Sequence, residues 1–286
     1  MKWRGRRGSG NIIDRRRSSG GRGGRGAAIG GAGGFGLLAI VVVGYFLGVD
    51  LTPLLNDGQM QQGGGGEITA ADEEAAQFVS VTLADTEEIW ADIFEREIGA
   101  AYDPAELVLF KGATQSACGG ASAASGPFYC PPEERIFLDT DFFTTLERQL
   151  GAKGDFAAAY VVAHEVAHHV QNEIGVLSEV NAVRQRSDEA TSNALSVRIE
   201  LQADCFSGIW ARRAEARFGS LEPGDIEEAM NAAAQIGDDT LQREAGRTVR
   251  PESFTHGTSE QRQRWFATGY ERGSIAACDT FAADRI

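Results

Sequence analysis

The sequence predicts a predominantly helical α+β domain with a small antiparallel sheet, preceded by one transmembrane helix. Three observations carry this expectation. A charge-free apolar run fills residues 27–49. Two short segments of strand character, ELVLF at 106–110 and RIFLD at 135–139, flank a Gly/Ser/Ala-rich stretch. From Asp155 onward, apolar residues recur at helical spacing and the segments stop at glycines. The 286 residues are 42% apolar, enough for a packed core, which excludes a collagen-like or wholly disordered chain.

The net charge of −14 averages two unlike parts. Residues 1–26 hold nine of the 27 basic residues and one of the 41 acidic ones, a charge of +8. The remainder carries 18 basic and 40 acidic residues, or −22. A basic tail on an acidic body points to a membrane or a polyanion near the N-terminus. The acidic body argues against nucleic acid as a partner, because phosphate binding needs excess Lys and Arg. Segment 1–26 is rich in Arg, Gly and Ser and has few core-forming residues, so it reads as a disordered tail. An RGG-like RNA-binding tail is a competing reading, disfavoured by the apolar run that comes next in the chain.

Residues 27–49 match the ~20 apolar residues that a helix needs to cross a bilayer, and their glycines are tolerated in such a span. A cleaved signal peptide is the rival, but the exit GYFLGVDLTPLL lacks an A-x-A site. The expectation is an uncleaved signal anchor with the tail in the cytoplasm and the body outside. Residues 50–66, ending QMQQGGGG, read as a flexible linker, and 67–286 as the functional domain.

Within that domain, residues 67–99 read as one helix, capped by Thr69 or Asp72 and stopped by Gly99. Trp90, Phe94 and Ile98, spaced by four, are expected on the core. The segments 106–110 and 135–139 are strands, with a third near Phe128–Cys130. Helices follow at 141–150, 155–174 and about 189–218. Another opens at Asp225, with Glu228 in a capping-box arrangement, and a last at Thr258 or Ser259 that ends at Gly273.

The helix 155–174 contains VVAHEVAHHVQ, an H-E-x-x-H. His164 and His168 lie four apart on one face and can bind a single Zn²⁺. Glu165 sits beside them, where it can take a proton from a metal-activated water. The apolar flanks Val161, Val162, Val166, Ala167 and Val170 bury the helix, as a metal site requires. His169 points about 100° away and reads as a polar supporting residue. Downstream, Glu200-Leu-Gln-Ala-Asp204 again places two acids four apart. A carboxylate at the first position can ligate zinc, and one at the second can orient a ligand histidine.

HEVAHH and ELQADC together resemble the gluzincin arrangement of metallopeptidases. In detail the chain resembles the neutral zinc metallopeptidase family of bacterial membrane-anchored proteins. The Arg/Gly tail with one apolar run, the CGGASAASGPFYCPP loop, SVRIELQADCFSGIWA and THGTSEQRQRWFATGY carry the likeness over nearly the whole chain. The resemblance implies a gluzincin-like domain that hydrolyses peptide bonds of a peptide or protein substrate. It implies one Zn²⁺ per chain held by His164, His168 and Glu200, with Glu165 as base and Asp204 orienting a ligand. It also implies a bacterial cytoplasmic membrane setting, single-pass through residues 27–49. The fourth histidine, His256, has two readings: a hydrogen-bond donor to the oxyanion at zinc, as a gluzincin gives a distant His, or a loop residue near a helix start. Arg262 reads as a structural partner of an acid.

Cys118, Cys130, Cys205 and Cys278 contain no C-x-x-C, which argues against a cysteine zinc site. In an exported domain an even count reads as disulfides. Cys118 with Cys130 is the local choice, leaving Cys205 with Cys278, among three possible pairings. Free buried thiols would instead fit a cytoplasmic domain. The functional alternative to a peptidase is a zinc-stabilised, non-catalytic envelope binding or scaffold protein. An intact Glu165 favours the enzyme.

Overall fold

The computed structural model describes residues 1–17, 67–122, 126–148 and 151–286. The expected transmembrane run 27–49 and linker 50–66 lie outside the described residues. Among the described residues no helix is long and apolar enough to cross a membrane.

The domain is predominantly helical with two small sheets. Helix α1 (Ala70–Ile93) begins at Thr69, whose hydroxyl accepts the Asp72 N–H, while the Asp72 carboxylate accepts the Thr69 N–H at 2.7 Å. That capping box satisfies two orphan donors of the first turn. The Asp72 carboxylate also accepts Lys111 Nζ (2.7 Å) and Thr140 Oγ1 (2.8 Å), so the cap ties α1 to the ends of two strands. The last turn, Phe94–Ile98, widens to a π-helix before Gly99 reverses the chain at φ 76°. Widening shifts the helical phase. Trp90 and Phe94 are buried as expected, but Ile98 is exposed, contrary to expectation.

Strands β1 (Ile12–Asp14), β2 (Glu106–Phe110), β5 (Phe128–Cys130) and β6 (Arg135–Asp139) form a sheet in the order β1-β2-β6-β5. The expected antiparallel sheet is therefore corrected. β1 pairs parallel with β2 and β2 parallel with β6, and only β5 runs antiparallel. Continuous apolar runs such as LVLF and IFL are the mark of strands buried on both faces, which parallel pairing favours. The connection 111–134 is long enough for the crossover and also contains the separate hairpin of β3 (Ala113–Ser116) and β4 (Gly119–Ser122).

The tail expected to be disordered over 1–26 is ordered on the domain over residues 1–17. Met1 and Trp3 are each 5% exposed, and Trp3 packs edge-on against Phe78 at 5.5 Å. Its arginines find acids on α1: Arg4 with Glu74, Arg6 with Asp85, Arg7 with Glu88, and Arg16 and Arg17 with Glu73. Strand pairing and these ion pairs offset an ordering entropy that composition alone suggested would win. The Met1 amino group lies among Asp155, Glu222 and Asp225, which start or precede two helices.

The remaining helices are α2 (Phe142–Arg148), α3 (Asp155–Glu173), α4 (Val176–Arg184), α5 (Glu189–Phe218), α6 (Asp225–Gln235), α7 (Asp238–Glu244) and α8 (Ser259–Arg272). α4 and α7 have no counterpart among the expected elements. The Asp225/Glu228 capping box does not form. Gly224 precedes the helix, and Glu228 instead accepts the N–H of Phe156 at the start of α3. Thr258 and Gln261 do form one at α8. α3 and α5 run through the core, and α8 lies against α5 at two glycines. A Cβ on Gly269 would stand 1.8 Å from the Cys205 carbonyl, and one on Gly208 2.1 Å from the Phe266 carbonyl. Disulfides join Cys118 to Cys130 and Cys205 to Cys278.

Candidate metal centre

α3 and α5 bring the H-E-x-x-H and the E-x-x-x-D together. Ligand atoms of His164, His168 and Glu200 all lie within 4.8 Å of one another. His164 Nε2 is 3.0 Å from Glu200 Oε2, and His168 Nε2 is 3.5 Å from Glu200 Oε1. Three ligands at zinc–ligand distances of ~2.1 Å would stand about 3.4 Å apart in a tetrahedron, so the donor set fits zinc in both chemistry and spacing.

Each of these histidines faces a polar side chain with its other nitrogen. His164 Nδ1 lies 2.9 Å from Asp204 Oδ1, off the straight hydrogen-bond line. His168 Nδ1 lies 2.9 Å from Gln171 Oε1. Since the Gln oxygen only accepts, His168 carries its proton on Nδ1 and turns Nε2 toward Glu200. Gln171 is itself fixed, donating to Ile199 O (2.8 Å) and Gln202 Oε1 (3.0 Å). Gln202 donates to Cys278 O (3.1 Å), so the metal face is linked to the disulfide that anchors the C-terminal segment.

Asp204 is fully buried and accepts Tyr160 OH (2.6 Å) and Arg262 Nε and Nη2 (2.9 and 3.0 Å). Burial works against its charge, but Arg262 and His164 outweigh this and keep the carboxyl below its usual range. Arg262, 2% exposed, is the structural partner expected for it. Burial also opposes a charged His164, yet Asp204 and Glu200 outweigh it and push the imidazole up to about 9. The carboxylates thus demand positive charge at this spot. Glu165 is 7% exposed and faces the same cleft; burial pushes its carboxyl upward despite the nearby histidines.

His169 turns away as expected. It accepts from Tyr129 OH at 3.1 Å and donates to Asp103 O at 2.6 Å, pinning α3 to β5. His256 lines the cleft from the loop before α8. That loop wraps Asp238, whose Oδ2 accepts the N–H groups of Thr255, His256 and Gly257 at 2.8, 2.7 and 3.0 Å. The His256 side chain is 43% exposed, with Nδ1 2.9 Å from Thr255 Oγ1. The cleft holds about 430 Å³, with apolar walls from Phe128, Phe142, Leu177, Ile236 and Leu241. β5, an edge strand, borders it.

Sequence reasoning missed Gln171, Tyr160 and Asp238. The signal for the first two was present: residues 160, 164, 168 and 171 form one helical stripe. Asp238 had none, because its role depends on a loop 17 to 19 residues away.

Two buried helices thus bring together a donor set that could hold zinc, with a glutamate facing the same cleft. The family model described as "Putative neutral zinc metallopeptidase" matches residues 1–281, and the chain belongs to this family. It is 47% identical over 285 residues to "Uncharacterized protein YpfJ" of Escherichia coli (strain K12), covering 98% of this chain and 99% of that protein. It is 43% identical over 192 residues to "Uncharacterized protein Rv2575" of Mycobacterium tuberculosis (strain ATCC 25618 / H37Rv), covering 64% of each. No solved structure matches the chain.

Proposed function

We propose that this chain is a zinc-dependent peptidase with a gluzincin-like catalytic domain. His164, His168 and Glu200 hold one Zn²⁺, and Glu165 acts as general base. The observation that carries the reading is the paired orientation of both histidines: Asp204 and Gln171 engage the two Nδ1 atoms and leave both Nε2 atoms directed at Glu200. A purely structural histidine pair would not need that arrangement.

Zinc bound there supplies Lewis acidity to a water and to the peptide carbonyl. Glu165, raised by its burial, accepts the water proton and delivers it to the leaving amine. His256 donates a hydrogen bond to the oxygen that gains charge, and Asp238 fixes the loop that presents it. The apolar cleft accepts apolar side chains, and the open edge of β5 aligns an extended peptide by backbone pairing. Asp204 orients His164, and Arg262 holds Asp204 in turn.

The setting we propose is the bacterial cytoplasmic membrane, with the domain on its extracytoplasmic side and residues 27–49 as the bilayer contact. Two disulfides support an oxidising compartment. The test is reversible metal dependence. Full-length protein in detergent should cleave an unstructured polypeptide, lose that activity on chelation, and regain it with stoichiometric Zn²⁺. Cleavage that survives complete zinc removal overturns the reading.

A further inference from the structure

The charge pattern alone places the basic tail in the cytoplasm, opposite the body. The structure points elsewhere. We infer that residues 1–17 and the body, 67–286, lie on the same side of the membrane, so that the chain between them makes no net crossing. The inference rests on the membrane setting proposed above and is independent of the peptidase reading.

The topological signal is the excess of Lys and Arg beside a span on its cytoplasmic side. Here five of the tail's arginines are engaged with carboxylates, four of them wholly with the acidic face of α1. Arg6 grips Asp85 through both terminal nitrogens, at 2.7 and 2.6 Å, and the Asp85 side chain is 5% exposed. Arg16, itself 6% exposed, donates to Asp14, to the Asp72 carbonyl and to Glu73. These are built contacts of a folded domain. Strand β1 adds to the sheet beside β2, with Ile12 opposite Leu107 and Asp14 opposite Leu109, and the Leu107 N–H donates to Asn11 O at 2.8 Å. Trp3 fills a core position against Phe78.

A single helical crossing between residues 17 and 67 would remove all of this at once. It would strip the edge of β2, uncover Phe78 and leave the buried Asp85 without its cation. The apolar run of 23 residues is long enough for one helical crossing and too short for two. A single helical crossing in this run is therefore incompatible with the contacts that residues 1–17 make on the body. The arginines of residues 1–17 serve the body's acidic surface, and the two described parts are held at one face.

The test uses the full-length chain in spheroplasts and a membrane-impermeant maleimide. The native cysteines are paired and silent. Gly10 is exposed and a Cβ there meets nothing within 4 Å, so Gly10→Cys is sterically free. Ile98→Cys reports on the body from an exposed position. Both variants should label to the same extent before lysis. Labelling of both only after lysis also supports a shared side, while overturning the extracytoplasmic placement proposed above. Labelling of Ile98→Cys before lysis with Gly10→Cys labelled only after it overturns the inference. Docking is read separately with Gly8→Cys/Ser80→Cys. A Cβ on residue 8 lies 3.3 Å from the Ser80 Cβ, close to the ~3.5–4.5 Å of a disulfide. Mild oxidation of membranes should give the intramolecular 8–80 cross-link by peptide mass spectrometry, and its absence in a folded, oxidised sample contradicts docking.

Discussion

Asp204 places Oδ1 2.9 Å from Nδ1 of His164, one helical turn beyond Glu200, whose carboxylate is 3.0 Å from the other ring nitrogen. A single helix thus supplies both the proposed ligand and the group that orients a proposed ligand on its neighbour. Asp204→Asn keeps shape but loses the charge that holds the imidazole. Zinc affinity should fall about 10- to 100-fold, read by competition with a chromophoric chelator. Asp204→Ala should cost about 3–5 kcal/mol of stability as well, because Arg262 would remain buried without its partner. An unchanged affinity in Asp204→Asn would contradict the orienting role.

The Cys205–Cys278 bridge closes a separation of 73 residues and starts one residue after Asp204. Cys205→Ser/Cys278→Ser should lose about 3 kcal/mol, a fall in Tm of roughly 6–12 °C, measured by thermal unfolding. Since Gln202 hydrogen-bonds the Cys278 carbonyl, zinc should also be released faster from this variant than from wild type.

Asp72 predicts a pH dependence remote from the metal. Burial opposes its charge, but Lys111, Thr69 and Thr140 outweigh it and hold the carboxyl far below the usual carboxylate range. A group depressed in the folded state contributes stability that is complete above its unfolded value of ~3.9. That contribution is lost as pH falls below this. Urea unfolding of Asp72→Asn should show about 2 kcal/mol less stability than wild type at pH 7. The gap should narrow below about pH 4; a gap constant down to pH 2 would contradict the assignment.

His256 offers a kinetic test. Partial desolvation in the cleft opposes its charge, while Glu200 and Asp238 outweigh this and raise its imidazole. His256→Ala should lower kcat by about 10²-fold with KM nearly unchanged, because the bond forms as charge develops on the oxygen. A change confined to KM would assign His256 to substrate binding instead.

Much of the centre was legible from sequence because it is local. His164, Glu165 and His168 share one helix turn, and Glu200 and Asp204 another, so spacing alone faced them correctly. The helix stops at Gly175, Gly219 and Gly273 were equally local. What escaped depended on distant pairing. The direction of β2 against β6 is set by partners 29 residues apart, and continuous apolar runs mark burial on both faces without fixing strand direction. β1 was hidden inside an arginine-rich segment whose composition resembles a disordered tail. Its arginines are ordered by acids 56 to 81 residues away, which no window along the chain can see. Ile98 was misplaced because a π-turn changes the helical phase at its last turn.

The central claim is tested most directly by one paired measurement on full-length protein: zinc content and peptide hydrolysis in wild type and Glu165→Gln. Glu165 is the base and not a ligand, so both proteins should carry about one zinc per chain, and hydrolysis in the variant should fall by at least ~10²-fold. Wild-type protein that holds zinc but cleaves no faster than Glu165→Gln would contradict the account.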